Sequence, residues 1–218
     1  MTEIVLMSDP RIAAVSVQEC GEPLVDVRRG GALLVDRREW QDSAGVCFHL
    51  REGVLTRLLE AQAQLPPGLQ LLFVEGYRPP ALQRRYFDEY ASRLRTEHPQ
   101  WSPDQLRSAA SRYVSPPETA PHSAGAAVDL TLADAEGREL DLGTRMNATP
   151  EESAGACYTH AGNISAEARS HRTLLGTALT TAGLVNYPTE WWHWSYGDRY
   201  WALAAGAEHA HYGPRELC

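Results

Sequence analysis

The segment PHSAGAAVDLTL, residues 121–132, constrains the fold of this chain more than any other. Its second half alternates apolar residues with small or polar ones, so we expect a β-strand over residues 126–132 with one face in a core. The other face carries Asp129 between two small residues, which leaves room around the carboxylate. His122 lies before Gly125, and glycine permits a backbone bend that a regular strand does not. A loop imidazole can therefore fold back over a strand carboxylate.

His122 and Asp129 alone admit two interpretations: a hydrogen-bonded structural pair, or the first two ligands of a zinc site. A second segment, TEWWHWSYGD at residues 189–198, contributes His193. This residue completes a His, Asp, His set and leaves the fourth zinc position open for water, which distinguishes catalytic from structural zinc. We predict one zinc ion per chain, held by His122, Asp129 and His193.

Glu190 lies three residues before His193 and is the candidate general base that takes a proton from the water at the metal. Residues three apart on a regular strand point to opposite faces, so the two side chains can share a pocket only if the strand begins irregularly. Pro188 and Thr189 favour such a start. The alternative interpretation is a Trp-rich core strand with one polar residue at its edge.

The two segments together resemble a known family. HxxxxxxD followed by ExxH within EWWHW is similar to the zinc D-alanyl-D-alanine dipeptidases of the vancomycin-resistance type, part of a group of zinc D,D-peptidases that shares a fold with the hedgehog signalling domain. A third block, EGYRPPALQ, matches the family GYRP motif and places Arg78 at the family arginine. The resemblance runs from about residue 23 to residue 200.

This resemblance implies a fold and a mechanism. The fold is α+β: a small, mainly antiparallel sheet with flanking helices and the zinc site on one sheet face. His122, Asp129 and His193 would be the ligands. Glu190 would activate the water and pass its proton to the leaving amine, and Arg78 would face the developing oxyanion. For Arg78, the residues alone leave a surface salt bridge near a helix start equally open.

The chain departs from the family pattern where the substrate's amino end is held. The family serine corresponds to Ala120, and the family aspartate corresponds to Asn147. A free ammonium in a partly dry pocket needs a polar partner, and the acids nearby in sequence are Glu118, Glu151 and Glu152. The predicted substrate-binding residues are Asn147, Glu151 and Glu152. We therefore expect hydrolysis of D-alanyl-D-alanine or a closely similar short D-amino-acid peptide, with weakened discrimination against N-blocked peptides.

Three other functions remain open from the residues. One is a D,D-carboxypeptidase acting on longer peptidoglycan stems. Another is a non-haem iron oxygenase, because two histidines and a carboxylate also bind iron. The third is a noncatalytic zinc-binding module. Glu190 and Arg78 have no evident role in oxygen chemistry, and a purely structural metal site needs no base beside it.

Composition limits the kinds of binding partner and the cellular compartment that we expect for this chain. The length of 218 residues and the hydrophobic content of 43% suit a single globular domain, with a lead-in at 1–22 and a solvent-exposed tail at 202–218 that carries His209 and His211. The net charge of −8 disfavours nucleic acid, and no apolar run reaches the length of a membrane span. The N-terminus lacks the basic region of a secretory signal. We expect a cytoplasmic enzyme with a small peptide substrate, whose four widely spaced cysteines are thiols rather than disulfides.

Hydrophobic periodicity gives the expected elements. Helices are predicted over residues 51–65, 81–96, 102–113 and 166–182, and short strands over residues 23–27, 32–35 and 71–74. Residues 133–165 show no period, and an irregular segment of this length inside a compact domain is usually functional.

Overall fold

The computed structural model describes residues 4–29, 31, 33–36 and 45–217. Part of the predicted strand at 32–35 and the last cysteine, Cys218, lie outside these residues. The strands are β1 (Leu24–Asp26), β2 (Leu34–Val35), β3 (His49–Arg51), β4 (Leu69–Glu75), β5 (Ala127–Asp134), β6 (Val185–Asn186) and β7 (His193–Ser195). The helices are α1 (Pro10–Ala14), α2 (Glu52–Gln62), α3 (Pro80–Glu97), α4 (Pro103–Ala110), α5 (Ala166–Thr181) and α6 (Arg199–Ala205).

A five-stranded sheet in the order β2-β4-β5-β7-β6 forms the centre of the fold. Only the β2–β4 pair within it is parallel, and the other neighbours run antiparallel. Strands β1 and β3 form a separate antiparallel pair. The α+β fold with a mainly antiparallel sheet, expected from the sequence, is confirmed.

Strand β5 is the longest of the described strands and is buried along nearly its whole length. Val128, Leu130 and Leu132 belong to the main core, as their alternation predicted. The opposite face, which carries Asp129 and Thr131, is buried as well. Polar side chains on that face are therefore shielded from bulk water and depend on partners within the protein.

The helices follow the predicted positions with shifted ends. Helix α2 contributes side chains to the main core, as does α5, and the two helices contact each other. Helices α3 and α4 build a second, smaller core. Helix α4 begins with a capping box between Ser102 and Gln105 and ends at Ala110, earlier than predicted, because residues 111–113 continue as turns. Within the described residues no helix combines the length and apolar character needed to cross a membrane.

The prediction of a solvent-exposed tail is wrong. Residues 199–205 form α6, and the chain beyond it returns to the lead-in, where Ala210 forms a parallel bridge with Val17. Ala210 and Tyr212 are both buried, and the Gly213 amide donates to the Glu19 carboxylate at 2.8 Å. These contacts cover apolar side chains that the local sequence pattern gave no reason to bury.

Arg51 joins the lead-in, the loop before β5 and the C-terminal segment. Its side chain is fully buried, and its Nε donates to the carbonyl of Ala124 at 2.8 Å. Its two terminal nitrogens donate to the Glu19 carboxylate at 2.9 and 3.0 Å. One of them also donates to the carbonyl of Glu22 at 2.6 Å, and the other donates to the carbonyl of Gly213 at 3.2 Å. One guanidinium therefore fixes three chain segments around the start of β5.

Replacement of Arg51 by methionine should lower the free energy of unfolding by about 2–4 kcal/mol, because three backbone carbonyls lose a charged donor. The half-exposed Glu19 carboxylate should contribute little to this loss. Urea unfolding measures the change. Arg138→Met is the control, because Arg138 is largely exposed and its loss should cost no more than about 1 kcal/mol. Equal losses in the two variants would contradict the role given to Arg51.

Candidate active site

The structure brings His122, Asp129 and His193 together at one point. The Nδ1 of His193 lies 3.1 Å from the Nε2 of His122 and 3.1 Å from the Oδ1 of Asp129. The remaining separation, between His122 Nε2 and Asp129 Oδ1, is 3.4 Å. Zinc bonds of about 2.0–2.1 Å in tetrahedral geometry separate neighbouring ligand atoms by about 3.3 Å. The three buried side chains therefore fit one zinc ion.

Local backbone geometry places His122. A short 3₁₀ helix, Pro121–Ala124, carries the histidine and ends at Gly125, whose φ of 66° is left-handed. A Cβ at Gly125 would lie 2.2 Å from Leu24 Cδ2, so the turn into β5 requires glycine on two counts. His122 Nδ1 lies 2.6 Å from the carbonyl of Gly76, to which it donates. This hydrogen bond leaves the Nε2 lone pair directed at the site.

The pairing of β5 with β7 places the other two ligands. Asp129 and His193 are directly opposite each other in the antiparallel register, so their side chains leave the sheet on the same face. Burial would raise the pKa of Asp129, but the charge and hydrogen bonds of His122 and His193 lower it well below its usual range. Burial lowers the pKa of His193 against the opposing effect of Asp129. An ionised carboxylate and a neutral imidazole are the forms that bind metal.

Glu190 shares the pocket with His193 because the strand begins irregularly, as expected. Turns at residues 188–189 and 191–192 precede β7, and the His193 amide donates back to the Glu190 carbonyl at 3.3 Å. The Oε2 of Glu190 lies 3.8 Å from the Nδ1 of His193. Burial and the nearby charge of Asp129 raise the pKa of Glu190 well above its ordinary value. A carboxyl group with high proton affinity therefore stands beside the three ligands.

Arg78 is a largely buried member of the site, with 13% of its side chain exposed, and not a surface ion pair. Its Nε and Nη2 donate to the two oxygens of Glu75 at 2.7 and 2.8 Å, and its Nη1 donates to Gln83 at 2.8 Å. A guanidinium has five N–H donors, so this clamp orients the group and retains donor capacity for a substrate oxygen. Burial acts to lower the pKa of Arg78, but the Glu75 carboxylate outweighs it and raises that pKa.

An irregularity in β4 aims Glu75 at Arg78. The pairing register between β4 and β5 shifts between Phe73 and Glu75, so that Glu75 stands opposite Asp129. A bulge of this kind redirects a side chain at a sheet rim. Sequence reasoning missed Glu75, although its position three residues before Arg78 was a readable signal for an ion pair.

A cavity of about 540 Å³ opens beside these groups. Its wall includes the three metal-ligand candidates, Glu190 and Arg78 on one side, and the tyrosines Tyr86, Tyr90 and Tyr113 with Asn147 on another. The Tyr113 hydroxyl donates to the carbonyl of Asn147 at 3.1 Å. Burial and the Glu190 carboxylate raise the pKa of Tyr113 to about 12, so this hydroxyl is neutral at physiological pH. Sequence reasoning gave no signal for the tyrosine wall.

The acids expected to hold the substrate's amino end have other partners. Asn147 lines the cavity, whereas Glu151 and Glu152 are not among the described residues that line it. Glu152 accepts from the Arg145 guanidinium at 2.8 Å and from the Thr149 amide at 3.0 Å, so it holds its own loop. Glu151 accepts from the Tyr90 hydroxyl at 3.0 Å and is separated from the cavity by that tyrosine. Their proximity in sequence to Asn147 predicted that these acids contact the substrate directly. This geometry does not support that prediction.

Comparisons with known proteins identify relatives of this chain. A family model described as D-ala-D-ala dipeptidase matches residues 38–210. A D-alanyl-D-alanine dipeptidase of Synechocystis sp. is 30% identical over an alignment that covers 90% of each chain. A D-alanyl-D-alanine dipeptidase of Escherichia coli is 30% identical over 126 residues, covering 58% of this chain and 54% of that protein. A solved vancomycin resistance D,D-pentapeptidase mutant in complex with Zn(II) shares 17% identity with a TM-score of 0.44, covering 81% of this chain and 94% of that chain.

Proposed function

Because the chain belongs to the D-ala-D-ala dipeptidase family, we propose that it is a zinc metallopeptidase that hydrolyses D-alanyl-D-alanine. One observation carries the proposal: His122, Asp129 and His193 converge within the separations that tetrahedral zinc requires, next to a buried glutamate. Membership of a peptidase family removes the iron oxygenase hypothesis. A noncatalytic module is also disfavoured, because burying Glu190 beside Asp129 is costly and serves no purely structural metal site.

Each side chain has a distinct task in this mechanism. Zinc, when bound by the three ligands, supplies a Lewis acid and lowers the pKa of a coordinated water. Glu190 takes the proton from the attacking water and delivers it to the nitrogen of the leaving D-alanine. Arg78, held by Glu75 and Gln83, donates N–H groups to the carbonyl oxygen as negative charge develops there. Because Arg78 is already oriented, little reorganisation accompanies the reaction.

The tyrosine wall and Asn147 form the proposed site for the substrate's free amino end. Asn147 adopts a left-handed conformation, with φ of 58°, that asparagine tolerates better than most residues. Its amide oxygen accepts a hydrogen bond but carries no charge, so it holds an ammonium less firmly than a carboxylate does. The buried methyl of Ala120, where the family has serine, supplies no hydrogen-bonding group.

The cavity volume favours a second candidate activity, D,D-carboxypeptidase action on longer peptides. A volume of about 540 Å³ lies in the range of pockets that hold drug-sized ligands and is generous for a dipeptide. Release of D-alanine from a pentapeptide stem, measured beside D-alanyl-D-alanine, tests this candidate. A stem cleaved with kcat/KM equal to that of the dipeptide would make it the better description.

We also propose that the enzyme acts in the cytoplasm on peptides of peptidoglycan metabolism. The cysteines support a reducing compartment: Cys157 is a buried thiol, and Cys20 is an exposed one. Reduced thiols persist in such a compartment, whereas secreted proteins commonly pair them.

His193→Ala should abolish stoichiometric zinc binding, because the two remaining ligands leave the ion without its third protein donor. Elemental analysis of the purified protein measures the zinc content. His209→Ala is the matched control, because His209 lies in the C-terminal segment outside the three-ligand cluster, and it should retain one zinc per chain. Full zinc content in the His193 variant would remove that residue from the ligand set.

Glu190→Gln should keep zinc and fold but lower kcat for D-alanyl-D-alanine by roughly 10²–10⁴-fold, because the amide cannot accept the proton of the attacking water. Single-substrate kinetics at saturating zinc measures the loss. Glu97→Gln, at the exposed end of α3, should leave kcat unchanged. Turnover near that of the parent in the Glu190 variant would contradict its role as the base.

Asn147→Asp should sharpen the preference for a free amino end. A charge-assisted hydrogen bond exceeds a neutral one by about 1.4 kcal/mol, so the ratio of kcat/KM for free over N-acetylated D-alanyl-D-alanine should rise by about tenfold. Glu152→Gln should leave the ratio unchanged, because Glu152 faces Arg145. A strong free-amine preference in the parent, unaltered by either substitution, would contradict the proposed amino-end site.

A further inference from the structure

The imidazole of His193 has one nitrogen inside the candidate metal centre and one outside it. Nδ1 points at His122 and Asp129, so Nε2 carries the ring proton when Nδ1 binds a metal. In the part of the chain that the structure describes, this Nε2 is buried and has no hydrogen-bond partner. A metal-ligating histidine almost always donates its second N–H to a carboxylate, a carbonyl or a water. The outer side of His193 therefore requires an acceptor.

Two buried polar side chains, Ser195 and Asp198, follow His193 closely in the chain. Ser195 is two residues along β7 from His193, so both side chains leave the same sheet face. Its hydroxyl is buried and likewise makes no well-aligned hydrogen bond among the described residues. Asp198 follows in the turn before α6 and is 2% exposed. Burial raises the pKa of Asp198, whereas the Ser195 hydroxyl and the charge of His193 act to lower it.

The nearby tyrosine is committed elsewhere. The Tyr187 ring packs edge-on against His193, with 6.0 Å between ring centroids. Its hydroxyl donates to the Ser111 carbonyl and accepts from the Met7 amide at 3.1 Å. That hydroxyl is therefore directed away from Nε2. The Asp198 carboxylate remains as the negatively charged acceptor on this side of the imidazole.

We propose that Asp198 is a positioning residue for the metal and that, together with Ser195, it forms the outer sphere of His193. The carboxylate accepts the Nε2–H through one bound water that also contacts the Ser195 hydroxyl, and this network holds Nδ1 toward the ion. Three polar partners suit a buried water, which typically makes two to four hydrogen bonds. The inference rests on the zinc site of the proposed function and adds a determinant of its affinity that touches neither substrate nor reacting atoms.

Asp198 also has an ordinary structural task, because its side chain accepts from the Tyr200 amide at 2.9 Å as the N-cap of α6. The substitution Asp198→Asn separates the two roles. Asparagine caps a helix about as well as aspartate, so the cap survives. The negative acceptor for the histidine network is lost. A cap role alone predicts unchanged zinc affinity for this variant, whereas the outer-sphere role predicts weaker binding.

The experiment measures the zinc dissociation constant of the full chain by chelator competition and follows the Tm of the zinc-free protein. Asp198→Asn should raise the dissociation constant by about 10 to 100-fold with a parent-like Tm, and should change the visible spectrum of the Co²⁺-substituted protein. Ser195→Ala should weaken zinc binding in the same direction by a smaller factor. Asp9→Asn, the same replacement at the cap of α1, should leave the dissociation constant unchanged.

A parent-like dissociation constant in Asp198→Asn would overturn the outer-sphere role. If that variant fails to fold, Ser195→Ala decides, because it leaves the helix cap intact, and unchanged zinc affinity there overturns the proposal. Failure of the parent to bind one zinc per chain would overturn the metal site itself. A parent that binds zinc, together with loss of zinc in His193→Ala and no effect of Asp198→Asn, would overturn the outer-sphere role alone.

Discussion

The antiparallel pairing of β5 with β7 is the constraint on which the site depends. It sets Asp129 opposite His193, so two ligand atoms meet without the help of a flexible loop. A one-residue slip in this register would move one of the two side chains to the other face of the sheet. The apolar face of β5 prevents that slip, because Val128, Leu130 and Leu132 would all leave the core together.

Charged side chains around this pair are fixed by partners outside the reaction. Glu75 and Gln83 orient Arg78. Arg51 secures the backbone just after His122 by its bond to the Ala124 carbonyl. Such supports keep the groups of an active site in place before substrate arrives, which lowers the cost of organising them during the reaction. Because this region is tightly packed, a buried charge without a partner is unfavourable there. Removing one member of a charged pair should therefore destabilise the protein through the member that remains.

Local patterns in the sequence predicted what local physics controls. The alternation along β5, the helix positions and the irregular start before His193 follow from side-chain period, capping and proline, and all agree with the structure. The three ligand candidates could be identified because their spacing matches a family motif. Long-range packing was not accessible in this way. The bridge between Ala210 and Val17 joins distant segments, and no local period reports it.

The same limit explains the acids chosen for the amino-end site. Glu151 and Glu152 were close in sequence to the family aspartate position, but the turn around Thr149 directs Glu152 back to its own loop. Tyr90 comes from α3, far away in sequence, and covers Glu151. The sequence did not reveal the proposed role of Asp198 either, because an aspartate can serve equally as a helix cap or as the partner of a buried imidazole. Only the surroundings of His193 reveal the second role.

In the proposed metal centre, zinc is bound by two imidazoles and one carboxylate, with a further position open to water. X-ray absorption at the zinc edge of the zinc-loaded protein measures this ligand set. We expect only nitrogen and oxygen neighbours at about 2.0–2.1 Å, with the scattering pattern of two imidazole rings. Cys47 lines the same cavity and is the residue that would supply a sulfur ligand instead. A sulfur neighbour at about 2.3 Å, or scattering from a single imidazole, would contradict the assigned ligand set.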